Sequence, residues 1–136
     1  MTALRVLLVE DSEFMSNRVS ETLETTHEMR LTAVGTAAAA RERLDADDYD
    51  CVVTNYELPD ETGIELAASL NASGTDPVVP VILLTGKKLE PIARGAIRKG
   101  VTEFVYKGDH AAGEMDVLEN RIRLTVRAYG DRERVA

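Results

Sequence analysis

Five short apolar runs recur along the chain, each followed by a stretch with helical spacing, and this alternation leaves few folds open. Val6-Leu7-Leu8-Val9 is apolar throughout, the pattern of a strand covered on both faces. Ser12 then suits a helix N-cap, with Phe14, Met15, Val19 and Leu23 following at helical spacing. Met29, Leu31 and Ala33 alternate with polar residues, which predicts a strand with one wetter face. Gly35-Thr36 breaks it, Thr36 caps an Ala-rich helix to about Leu44, and Asp45 to Asp48 forms a polar connection. Cys51 to Thr54 is the third strand, Pro59 to Gly63 a turn, and Ile64, Leu66, Ala67 and Leu70 line the next helix. Asn71 to Pro77 carries the longest loop signal. Val78 to Leu84 is the most hydrophobic run and is expected to be a central strand, with Pro80 confined to its first half. Pro91 opens a fourth helix carrying Ile92, Ala93, Ala96 and Ile97, and Gly100 ends it. Val101 to Tyr106 is a fifth strand, and Met115, Leu118, Ile122, Val126 and Tyr129 form one stripe of a last helix.

Strict alternation with short connections predicts an α/β fold, a (βα)5 doubly wound five-stranded parallel sheet with helices on both faces. Sites in such sheets form at the carboxyl ends of the strands. Glu10-Asp11 ends the first run, Asn55 the third, Thr85 the fourth and Lys107 the fifth. Two carboxylates, an amide, a hydroxyl and an ammonium are therefore expected at one edge of the sheet.

Bulk properties narrow the function. A chain of 136 residues is one domain by size. The single cysteine, Cys51, excludes an internal disulfide and suits a reducing cytoplasm. Its place in an apolar run predicts a packed structural thiol. No stretch approaches the ~20 apolar residues of a membrane span, and Val6 to Val9 is too short for a signal-peptide core. The net charge of −8 argues against nucleic acid as a direct partner. Val9 is followed by Glu10-Asp11-Ser12 and not by a Gly-rich phosphate loop. Only His27 and His110 are present, so no Ser-His-Asp or Cys-His set is available. These absences weigh against a small nucleotide- or flavin-binding enzyme on the same fold, the alternative from another functional class.

Together these residues resemble the receiver domain of two-component response regulators. The resemblance rests on Glu10-Asp11, on Pro59 and Gly63 after the third strand, on Thr85 and on the strand-end Lys107. Spacings agree as well: 44 residues from Asp11 to Asn55, 30 more to Thr85 and 22 more to Lys107. It covers essentially the whole chain, so residues 1–136 are expected to form one receiver domain, with a core of about 1–128 and a C-terminal extension or linker stub over 129–136.

The family implies a phosphorelay role without enzymatic activity, in which an Asp carboxylate takes a phosphoryl group from a phosphohistidine in a partner kinase. Mg²⁺ would neutralise charge among the acceptor, the acidic pair and the phosphoryl group. By that resemblance Asp11 is a direct metal ligand, Glu10 a ligand through water and the Glu57 backbone carbonyl another. Thr85 is the switch hydroxyl, Phe104 the switch aromatic and Lys107 the phosphate-pairing cation. Output passes through the face of the fourth helix, fifth strand and fifth helix to a sensor histidine kinase or another signalling protein, with a homodimer left open.

Two departures stand out. Gly108 follows Lys107 where the family usually has Pro. Asn55 occupies the phosphoacceptor position. Its nitrogen lone pair is delocalised and its oxygen carries no full charge, so it is a poor nucleophile toward phosphorus. It also removes one charge from the metal cluster, where close opposite charges interact by about 4 kcal/mol at an effective dielectric near 20, so Mg²⁺ binding is expected to weaken. The leading expectation is a pseudo-receiver that acts through protein contacts. The alternative is an ordinary Asp-phosphorylated, Mg²⁺-dependent receiver in which Asn55 replaced the acceptor. Deamidation of Asn55 would restore an Asp but is expected to be slow, because Tyr56 and not Gly follows.

Overall fold

All five apolar runs form strands, and the strands form one parallel sheet. A computed structural model describes residues 4–27, 29–72, 79–85, 103–106 and 121–128. The elements run β1 (Arg5–Val9), α1 (Glu13–His27), β2 (Arg30–Val34), α2 (Ala37–Ala46), β3 (Cys51–Asn55), α3 (Gly63–Ala72), β4 (Val81–Thr85) and β5 (Glu103–Tyr106). Residues 121–128 are helical. The sheet order is β2-β1-β3-β4-β5, and every neighbouring pair is parallel.

Because successive side chains on a strand point to opposite faces, the sheet builds two separate cores. Val6 and Leu8 of β1, Cys51 and Val53 of β3, and Ile82 and Leu84 of β4 form one, closed by Val19 of α1 and Ile122 of segment 121–128. Leu7, Val9, Val52, Val81 and Leu83 form the other, closed by Ala37 and Ala40 of α2 and Leu66 and Ala67 of α3. Such two-sided coverage explains why β1 is buried at every position from Val6 to Val9. Cys51 is fully buried as well, and burial pushes its thiol well above the usual range. It is a packing residue, in line with its apolar setting.

Several local expectations shift. Phe14, placed on the buried stripe of α1, is 71% exposed. It lies five residues before Val19, about 140° round the helix from the face that meets the sheet, whereas Met15, four residues before, is half-buried. Ala33 in β2 is exposed, and Met29 is buried but precedes the strand. β2 is an edge strand with only β1 beside it, so its faces are covered unevenly and the alternation blurs. The most hydrophobic run gives an internal strand, but the middle of the sheet belongs to β3. The strand begins at Val81, after Pro80, whose carbonyl accepts from the Val52 N–H at 3.0 Å. Proline has no N–H to give to a ladder. α2 continues past Leu44 to Ala46, with the Asp47 N–H closing on the Arg43 carbonyl at 2.9 Å. α3 runs on through Asn71 and Ala72, the first two residues of the expected Asn71–Pro77 loop, while Ser73 to Pro77, the fourth helix, and Met115, Leu118 and Tyr129 lie outside the described residues.

Candidate functional site

Strand register brings the polar ends together. Val9 pairs with Thr54, so Glu10 and Asn55 leave β1 and β3 side by side. Asn55 pairs with Leu84, so Thr85 follows one residue later on β4. Thr85 in turn pairs with Tyr106, the residue before Lys107. Neighbouring parallel strands lie about 4.8 Å apart, which puts Glu10, Asn55 and the β4 terminus along one edge. Phe104 pairs with Leu83 in β5. Its side chain and that of Thr85 are not described, and Lys107 lies outside the described residues.

The two acidic residues differ sharply. Glu10 is only 5% exposed. Its N–H donates to the Val34 carbonyl at 2.9 Å, and its Oε2 accepts from the Ser12 N–H at 3.2 Å. The carboxylate thus folds onto the start of α1, where the helix dipole favours an anion. Ser12 is the expected N-cap, its Oγ accepting from the Met15 N–H at 3.3 Å. Asp11 is exposed.

Between β3 and α3 the chain doubles back tightly. The Tyr56 N–H donates to the Leu84 carbonyl at 2.8 Å, and the Gly63 N–H to the Tyr56 carbonyl at 2.7 Å. Glu57 and Thr62 form an antiparallel bridge, and the Leu58 N–H reaches the Glu61 carbonyl at 3.1 Å. Gly63 sits so close to β3 that a Cβ there would overlap the Asn55 carbonyl oxygen and come within 2.8 Å of Leu83 Cδ1. Thr62 and Glu65 cap α3 reciprocally, each bond 3.1 Å. Inside this loop the Asn55 Nδ2 donates to the Glu57 carbonyl at 2.7 Å.

The loop is also fastened to α2. Asp60 accepts from the Ala37 and Ala38 N–H groups, both at 3.0 Å, while Thr36 Oγ1 accepts from Ala39 at 3.1 Å. Three of the helix's first N–H groups are thereby satisfied. Arg41 grips Glu61 with both terminal nitrogens, one at 3.3 Å, and reaches Ser69 Oγ at 3.2 and 2.9 Å. Sequence reading missed Asp60, Arg41, Thr62 and Glu65. The Thr62-x-x-Glu65 signature was there to be found. Nothing local marks Asp60, whose targets lie 23 and 22 residues away.

The backbone N–H groups of Ala37 and Ala38, aided by Arg41, hold the Asp60 carboxyl below its ordinary value. A depressed folded-state value gives stabilisation that is present above the unfolded carboxylate pKa of about 3.9 and lost as pH falls through the lower one. Asp60→Asn is therefore expected to flatten the acid limb of the stability profile below pH ~4. Urea midpoints measured across that range check it, and an unchanged slope refutes it.

The model of the response regulator receiver domain matches residues 6–116. The chain belongs to the response regulator receiver family. Similar proteins include the two-component response regulator ARR15 of Arabidopsis thaliana, 30% identical over 76% of this chain and 55% of its own length. The regulatory protein VirG of Agrobacterium fabrum is 32% identical over 75% of this chain and 39% of its own length. The chain thus spans about half, or less, of these relatives. In fold it resembles the signal receiver domain of an HD domain-containing protein from Pseudomonas fluorescens Pf-5, with a TM-score of 0.83, 22% identity and coverage of 98% and 94% of the two chains. The flavodoxin-like arrangement expected of a receiver domain is therefore present, and receiver domains interact with histidine kinases and other signalling proteins.

Receiver domains generally bind Mg²⁺ at this acidic edge. The residues here fit the ion poorly. The Glu57 carbonyl, expected to face the metal, takes a hydrogen bond from an amide N–H of Asn55. A donor there presents positive hydrogens where a ligand would present a lone pair.

Proposed function

We propose that this receiver domain cannot take a phosphoryl group at position 55 and signals through protein–protein contacts. The observation that carries the reading is Asn55 itself, set beside Glu10 by strand register and donating its amide to the Glu57 carbonyl. A carboxamide at the acceptor position offers no anionic oxygen to attack phosphorus. Asp11 and Glu10 are the remaining carboxylates of the cluster, Thr85 the switch hydroxyl, Phe104 the switch aromatic and Lys107 the phosphate-pairing cation. Mg²⁺ binding is weakened by the missing charge. The domain itself is not an enzyme, works in the cytoplasm, and meets a histidine kinase or another signalling protein through the fourth helix, fifth strand and fifth helix. Among the described residues no helix is long and apolar enough to cross a membrane.

Incubation of the protein with acetyl phosphate or phosphoramidate and Mg²⁺, followed by intact-mass measurement, is expected to show no gain of one phosphoryl mass. A stoichiometric gain mapped to the β3 end defeats the reading.

A further inference from the structure

We propose that the Asn55 amide takes the place of the divalent cation, closing the β3–α3 loop without a metal and competing with a metal for the Glu57 carbonyl. This rests on the assignment above of Glu10, Asp11, position 55 and the Glu57 carbonyl to one cluster, and it goes further than a missing charge. Asn55 Nδ2 stands 2.7 Å from the Glu57 oxygen, a full-strength N–H···O bond. With a carboxylate in that position two acceptor oxygens would confront each other, and a cation between them would relieve the repulsion. The amide supplies its own positive end. The loop it closes is already held at several other points: the Gly63 N–H on the Tyr56 carbonyl, the Glu57–Thr62 bridge, and the ties of Asp60 and Glu61 to α2. A metal approaching the Glu57 carbonyl must therefore first break the hydrogen bond from the Asn55 amide or displace a braced loop.

Loss of charge alone and occupation by the amide predict different rankings. Charge loss alone gives Asn55→Ala no advantage over Asn55, since both are neutral and only the amide keeps an oxygen able to ligate. Occupation makes Asn55→Ala the better binder of the two, because the competitor is gone. Mn²⁺ binding, followed by the electron paramagnetic resonance of the free ion, gives the ranking directly. The expected order of affinity is Asn55→Asp, then Asn55→Ala, then the unaltered chain, with the last step at least threefold. In EDTA the thermal midpoints should run the other way, the unaltered chain highest and Asn55→Asp lowest. Millimolar Mg²⁺ should raise the midpoint of Asn55→Asp by several degrees while leaving the unaltered chain within about 1 °C.

An alanine variant binding Mn²⁺ no more tightly than the unaltered chain overturns the proposal. So does an unaltered chain binding as tightly as Asn55→Asp. If Asn55→Asp does not fold, the alanine comparison still decides. Phosphoryl uptake by the unaltered chain would sink the acceptor reading instead, and the metal ranking is measured independently of it.

Discussion

Asn55→Asp is expected to carry a phosphoryl group on most molecules after incubation with acetyl phosphate, in Mg²⁺ and not in EDTA, whereas the unaltered chain is expected to take up none. The change swaps one amide nitrogen for oxygen with almost no change in volume, so packing at the end of β3 is preserved. It restores a full negative charge beside the buried Glu10 carboxylate, one strand away by register. It also turns the 2.7 Å contact with the Glu57 carbonyl from a hydrogen bond into an opposition of two acceptors. Uptake should therefore be strictly cation-dependent, since the same ion that relieves this repulsion also neutralises charge on the phosphoryl donor. Intact mass followed by peptide mapping checks it. Absence of uptake by a folded Asn55→Asp protein would mean that the other polar groups do not form a competent cradle, and the inactivity proposed for the unaltered chain would then need another cause.

Gly63→Ala is expected to destabilise the fold by about 3 kcal/mol, at the upper end of overpacking costs. A methyl at Gly63 would collide with the Asn55 carbonyl, meet Leu83 Cδ1 at 2.8 Å and press on Thr54 Cγ2 at 3.1 Å. Two of these three obstacles cannot swing aside easily: one is strand backbone, and Leu83 is fully buried in the core between the sheet, α2 and α3. Relief would come from pushing α3 outward, which breaks the Gly63 N–H bond to the Tyr56 carbonyl and loosens the Thr62–Glu65 cap. Urea unfolding followed by far-ultraviolet circular dichroism measures the loss. A change under about 1 kcal/mol would mean that the loop yields at little cost. The same variant should also disturb Asn55, so its amide resonances are expected to shift more than those of the distant α1 cap.

Much of the molecule was legible in the sequence alone. The runs Val6–Val9 and Cys51–Thr54 announced buried strands because a strand covered on both faces tolerates no polar side chain. Ser12 and Thr36 announced their helices because a hydroxyl at that point satisfies an N–H otherwise left over. Prediction failed where burial depends on neighbours: Phe14 turned outward because α1 meets the sheet along the line of Val19, and β2 lost its alternation because nothing pairs beyond it.

The local order of the chain also determined its family and the chemistry at position 55, since whether a side chain ends in an amide or a carboxylate is a covalent fact. What the amide does there was decided only by the fold. Its hydrogen-bond partner is two residues away, but the loop that presents that partner is shaped by Gly63 against β3, by Asp60 on the first N–H groups of α2 and by Arg41 on Glu61 and Ser69. Those contacts join residues about 20 or more positions apart, or depend on how closely a helix approaches a strand. Spacing along a chain carries no record of either, because distance in space is set by the packing of whole elements and not by the residues between them.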